Sequence, residues 1–110
     1  MKESLVMIQT TTNSLETAQK IASQLLELRK AACVQIQNIE SHYHWNGKLV
    51  SDKELLITAK TTKSHAHEVM NLLKQLHNYS LPEIVQINVD ETTTEYLSWV
   101  VKETKKPIAH

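Results

Sequence analysis

The side chains most able to do chemistry in this sequence cluster in one short stretch, "HNYSLPEIVQI", residues 77 to 87. It places an imidazole, His77, and a phenol, Tyr79, just ahead of a carboxylate, Glu83. Such a trio in a loop can bind a metal or a small anion, or exchange a proton, if a base such as Lys60 converges on it. The ordinary alternative is a helix-to-strand connection in which His77 caps the last carbonyls, Tyr79 packs and Glu83 precedes the strand. Composition and spacing alone favour that alternative. No nucleophile beside an obvious base and no pair of catalytic carboxylates stands out.

Other candidates are weaker. His42 and His44 are two apart on an expected strand and share a face, an arrangement that suits Cu(II), Ni(II) or Zn(II), although a solvated strand surface explains it as well. His65 and His67 have the same spacing at a helix start, where it makes them diverge. His110 belongs to the tail. Cys33, the lone cysteine, excludes an internal disulfide, and its neighbours Ala31, Ala32 and Val34 mark it as a buried small hydrophobe in a reducing compartment.

The elements that must position these groups follow from the pattern. At 110 residues the chain is expected to form a single domain, residues 1–110. Twelve basic and twelve acidic side chains cancel, so no charge field points to nucleic acid or an anionic membrane. No apolar run reaches spanning length, and "MKESLVMIQTTT" is a poor signal peptide, so a soluble cytoplasmic protein is expected. With Gly47 as the only glycine, a Gly-rich phosphate loop is not available.

"SLVMIQ" (4–9) reads as a buried strand. Asn13 with Glu16 resembles a capping box opening a helix whose apolar face is Leu15, Ala18, Ala22 and Leu25, widened by Ile21, Leu26 and Leu28. From Ala32 the period becomes two. Val34 and Ile36 take one parity, and Ile39, Tyr43 and Trp45 take the other, which predicts a bulge near Gln37–Asn38. Asn46-Gly47 predicts a type I′ hairpin turn into a strand with Leu55, Ile57 and Ala59 on one face. A second helix from near Ser64 carries Ala66, Val69, Met70, Leu73 and Leu76 and stops before Pro82. A strand follows with Val85, Ile87 and Val89 inward. Thr92 and Glu95 then open a last helix with Tyr96, Leu97, Val100 and Val101, and the tail "KETKKPIAH" is polar.

The order β-α-β-β-α-β-α predicts an α+β, ferredoxin-like fold, βαββαβ plus a C-terminal helix. The hairpin arms, 32–45 and 48–61, are each about 46 Å long if fully extended at about 3.3 Å per residue. A compact body of this size is only about 34 Å across, so the ribbon must project beyond it. An unsheltered ribbon with open edges is marginal in water, which predicts that it lies against neighbouring subunits in a closed ring.

Four segments in register, "RKAACVQI", "YHWNGKLVSDKELLITAKT", "HNYSLPEIV" and "EYLSWV", resemble the CutA divalent-cation tolerance family from about Leu5 to Val101. The resemblance implies a PII-like homotrimer with a long β-hairpin and a link to tolerance of copper and other divalent cations, with no defined catalytic reaction. It implies that His77-Asn78-Tyr79 and Pro82-Glu83 border an inter-subunit cleft approached by Tyr43, Trp45 and Lys60, with His77 the metal-ligand candidate and a divalent ion, copper first, the implied cofactor. Some copper-binding members carry a cysteine where this chain has Gln9, and two consecutive histidines where it has Leu76-His77. A second reading is a PII-like signalling protein holding a small anion by Lys60 and His77. An enzyme using His77 and Glu83 as an acid–base pair ranks last.

Overall fold

The computed structural model describes residues 3–106. Its described residues form a four-stranded antiparallel sheet with three α-helices, an α+β architecture: β1 (Leu5–Thr12), α1 (Leu15–Glu27), β2 (Cys33–Trp45), β3 (Lys48–Thr62), a 3₁₀ turn (Lys63–His65), α2 (Ala66–Leu76), β4 (Ile84–Asn88) and α3 (Thr94–Glu103). The strand order is β2-β3-β1-β4. His110 and the end of the expected tail lie outside the described residues.

Periodicity explains the core. Ala18, Ile21 and Leu25 of α1 and Ala66, Val69 and Leu73 of α2 meet Val6 and Ile8 of β1 and Ile57 and Ala59 of β3 in one buried cluster. Both helices therefore cover the same face of the sheet. Of the face expected on α1, Ala18, Leu25 and the flanking Ile21 are buried, whereas Leu15, Leu26 and Leu28 are exposed.

Two helix starts shift by one residue. Ser14, not Asn13, caps α1 by accepting the Thr17 N–H at 3.1 Å, and Thr93, not Thr92, caps α3 by accepting that of Tyr96 at 3.2 Å. α1 stops without a glycine: Arg29 takes φ 57°, and the Lys30 N–H returns to the Leu25 carbonyl at 2.9 Å, a Schellman closure.

The hairpin turn is as expected, with Asn46 at φ 51° and Gly47 at φ 76°. The bulge is absent. β2 and β3 pair without a break from Cys33↔Lys60 to Trp45↔Lys48, so Ile39, Tyr43 and Trp45 share the parity of Cys33. What changes along β2 is its cover: near the root the helices bury the Val34 face, and beyond them the opposite face lines a cleft. Cys33 is accordingly half-buried rather than packed in the core.

β4 also departs from expectation. Ile84 is the residue that packs on the core, while Val85 and Ile87 are exposed, opposite Gln9 and Met7 on the face away from α1 and α2. β1 is longer than its apolar run, because Thr10, Thr11 and Thr12 continue the strand and are buried. The molecule measures 52 × 32 × 21 Å with a radius of gyration of 15.1 Å. A compact chain of this length would have about 13 Å. The long ribbon accounts for the difference.

Candidate functional site

The three threonines at the end of β1 anchor the loop after α2. His77 Nδ1 accepts the Tyr79 backbone N–H at 3.0 Å, so the ring proton sits on Nε2, which donates to the Thr11 carbonyl at 2.8 Å and lies 3.1 Å from Thr10 Oγ1. The Thr10 hydroxyl donates to the Glu83 carbonyl at 2.6 Å, and that of Thr12 to Asn78 Oδ1 at 2.6 Å. Asn78 Nδ2 in turn donates to Asn13 Oδ1 at 2.9 Å. His77 stands at the C-cap of α2, but its ring ties the loop to β1 rather than bonding the last helix carbonyls.

This bracing aims Tyr79 at the ribbon. Its ring lies 4.9 Å from that of His77, and its hydroxyl donates to Glu54 Oε2 at 2.6 Å. Burial, reinforced by the adjacent Glu54 carboxylate, pushes the Tyr79 phenol above its ordinary range. Higher on the ribbon the Tyr43 hydroxyl donates to Asp52, which raises its pKa to about 12. Between loop and ribbon lies an open cleft of about 580 Å³, lined among others by Tyr43, Trp45, Glu54, Tyr79, Leu81 and Glu83.

Of the residues expected at the site, Tyr43, Trp45, Tyr79 and Glu83 meet in this cleft, and His77 braces it from behind. Lys60 does not reach it within one chain. It pairs with Met7 and Cys33, six residues or about 20 Å along β3 from Glu54, and its Nζ stands 5.9 Å from the Tyr96 ring centre. His42 and His44 do not act as a pair: the His42 ring is held by Glu40 at 2.8 Å and Ser51 at 2.6 Å. Sequence reasoning missed Glu54 and the threonine run. A carboxylate within "DKELLI", flanked by strand apolars, was the available sign.

Desolvation holds the His77 imidazole below its ordinary pKa, outweighing the Thr11 hydrogen bond. The neutral ring is therefore the folded form. Its contribution to stability is fully present above the unfolded value of about 6.5 and is lost as pH falls through that value toward the depressed folded one. Urea midpoints of wild type and His77→Gln, compared between pH 7.5 and 5, should show the steeper fall in wild type. Parallel curves would exclude this role.

A ribbon-extended α+β sheet with an acidic, aromatic cleft along the outer part of the ribbon defines the class of protein. The family model for CutA1 divalent ion tolerance proteins matches residues 6–103, and the chain belongs to that family. The CutA divalent-cation tolerance protein of Thermus thermophilus is 42% identical over 103 residues, covering 93% of this chain and 98% of the relative. That of Pyrococcus horikoshii is 35% identical over 93% of this chain and all of the relative. Among solved structures, CutA1 from Ehrlichia chaffeensis superposes with a TM-score of 0.90 at 29% identity, over 96% of this chain and 100% of that one. CutA from Archaeoglobus fulgidus, described as periplasmic, gives 0.88 at 35% identity, over 92% and 99%.

Proposed function

We propose that this chain acts in tolerance of divalent cations as a non-catalytic, cytoplasmic homotrimer of ferredoxin-like subunits on a PII-like plan, with its ligand clefts at the junctions between copies. The observation that carries the reading is an apolar surface left open by one copy of a CutA-family chain. Tyr43, Trp45, Val85 and Ile87 are 38 to 50% exposed, on the ribbon and on the sheet face that α1 and α2 leave bare. Among the described residues the edges β2 and β4 are unpaired as well. Closing three copies into a ring covers such faces and edges together.

The metal belongs at these junctions rather than inside one subunit. No group of three His, Cys, Asp or Glu side chains converges among the described residues. His77 has both ring nitrogens engaged, so coordination at Nδ1 has to displace the Tyr79 N–H. With Gln9 in place of a thiolate, the ligands offered are nitrogen and oxygen, which suit Cu(II) or Zn(II) and not Cu(I). An anionic ligand fits less well, since Glu54 and Glu83 line the cleft and no lysine or arginine does. The engaged His77 ring likewise supports a binding role over acid–base work.

Calorimetry with Cu(II), Zn(II) and Ni(II) on wild type and His77→Ala tests the metal assignment. Binding weakened by about tenfold or more in the variant is expected. Equal, weak binding by both would remove His77 as a ligand.

A further inference from the structure

Among the described residues Glu54 is the only charged one that is buried, at 8% exposure. Buried glutamates are rare unless a cation is paired with them, because a carboxylate taken out of water without a partner is costly. The ion pairs of the described residues are Arg29–Glu103, Lys30–Glu68 and His42–Glu40, and none involves Glu54. Lys53 follows the strand alternation onto the other face of the ribbon. Tyr79 satisfies Oε2 by donating its phenol proton, which pins the carboxylate, while Oε1, without a hydrogen-bond partner among the described residues, is open to the cleft rather than shut away from solvent.

Around this carboxylate the cleft supplies a second one, Glu83, together with the rings of Tyr43 and Trp45 and the apolar Leu81. Aromatic faces attract cations, and the rest of the lining adds no lysine or arginine to compete. Its volume of about 580 Å³ lies within the range of small-molecule sites. A bare metal ion wants several converging ligands, which one chain does not offer, whereas an ammonium needs one carboxylate and a ring face. We propose that the cleft binds an organic cation, a primary amine or guanidinium on a short apolar stem, with its charge at Glu54 and its stem against Tyr43 and Leu81. This deepens the ligand-cleft reading above, but it rests on atoms of a single chain.

The test uses 1,4-diaminobutane and agmatine as probes and butyrate as the control. Binding is followed by calorimetry and tryptophan fluorescence at low ionic strength, with sedimentation run on every sample. Saturable binding of both cations and none of butyrate is expected. Glu54→Gln, which keeps an acceptor for Tyr79, should weaken binding at least about tenfold. Tyr43→Ala, at an exposed ribbon position outside the core, should weaken it severalfold. Failure of either cation to bind wild type, or equal binding by Glu54→Gln, overturns the proposal. So does a Glu54→Gln variant that loses its assembly while wild type binds no amine, since the counter-ion is then a side chain of a neighbouring copy. A monomeric wild type that binds amines would sink the trimer and leave this inference standing. A trimer that binds none would do the reverse.

Discussion

Replacing Ile87 with aspartate is expected to break the proposed trimer into folded single chains. Ile87 lies on edge strand β4, opposite Met7, on the sheet face turned away from α1 and α2. It is 38% exposed in the lone chain, and Val85, two residues before it, is 41% exposed. In the proposed ring this face is covered by other copies, so the substitution places a carboxylate in each apolar junction with no cation to meet it. The effective penalty is several kcal/mol per buried ion. Within the chain the same side chain remains at the surface, so the core cluster of Ile8, Ile21, Ile57 and their neighbours should be unaffected. Sedimentation should report the monomer mass while circular dichroism retains the α+β signature. An Ile87→Asp protein that stays trimeric would show that the bare sheet face is not a subunit contact.

A comparably large effect is expected at Ile8, this time on folding. Ile8 is fully buried at the centre of β1, paired with Ala59 of β3 on one side and Gln86 of β4 on the other, beneath both helices. Truncation to alanine leaves a cavity that neither sheet nor helix can readily collapse into, at a cost of about 2–5 kcal/mol. Urea unfolding should show a lower midpoint at an unchanged slope. Because an oligomer's stability depends on chain concentration, wild type and variant must be compared at the same one. Val85→Ala makes a useful contrast. Its side chain is outside the single-chain core, so any large loss there would report subunit contacts instead.

The helices were legible because amphipathic spacing is a property of neighbouring residues. Ala18, Ile21 and Leu25, and then Ala66, Val69 and Leu73, are the stripes that the pattern indicated and the sheet buries. The hairpin turn was legible for a similarly local reason, since Asn46 and Gly47 tolerate positive φ. The end of α1 was not, because Arg29 takes the left-handed position usually held by glycine.

The misread elements have a common origin. Alternation in a strand records which side is covered, not only where the strand bends. On β2 the covered side changes as the ribbon leaves the helices, and the apolar parity changes with it while the register stays unbroken. On β4 the apolar parity, Val85 and Ile87, faces away from the helices, so the residues that looked like core are the ones a single chain leaves exposed. The threonine run lay beyond the apolar run that marked the first strand, yet β-branched residues also suit strands, and these three bond the loop that carries the site.

By itself the sequence determined the order of elements, the length of the ribbon, its turn and the segments that mark the family, all of which depend on residues close together in the chain. It also pointed to His77, Tyr79 and Glu83. Only the tertiary structure decided that His77 is a brace whose two nitrogens are taken, that Lys60 lies far from its own cleft, and that the buried carboxylate of Glu54 stands against Tyr79 across 25 residues of chain. The reason is physical: hydrogen bonds and burial are set by which surfaces meet in space, and no local pattern encodes which charge the fold will close over.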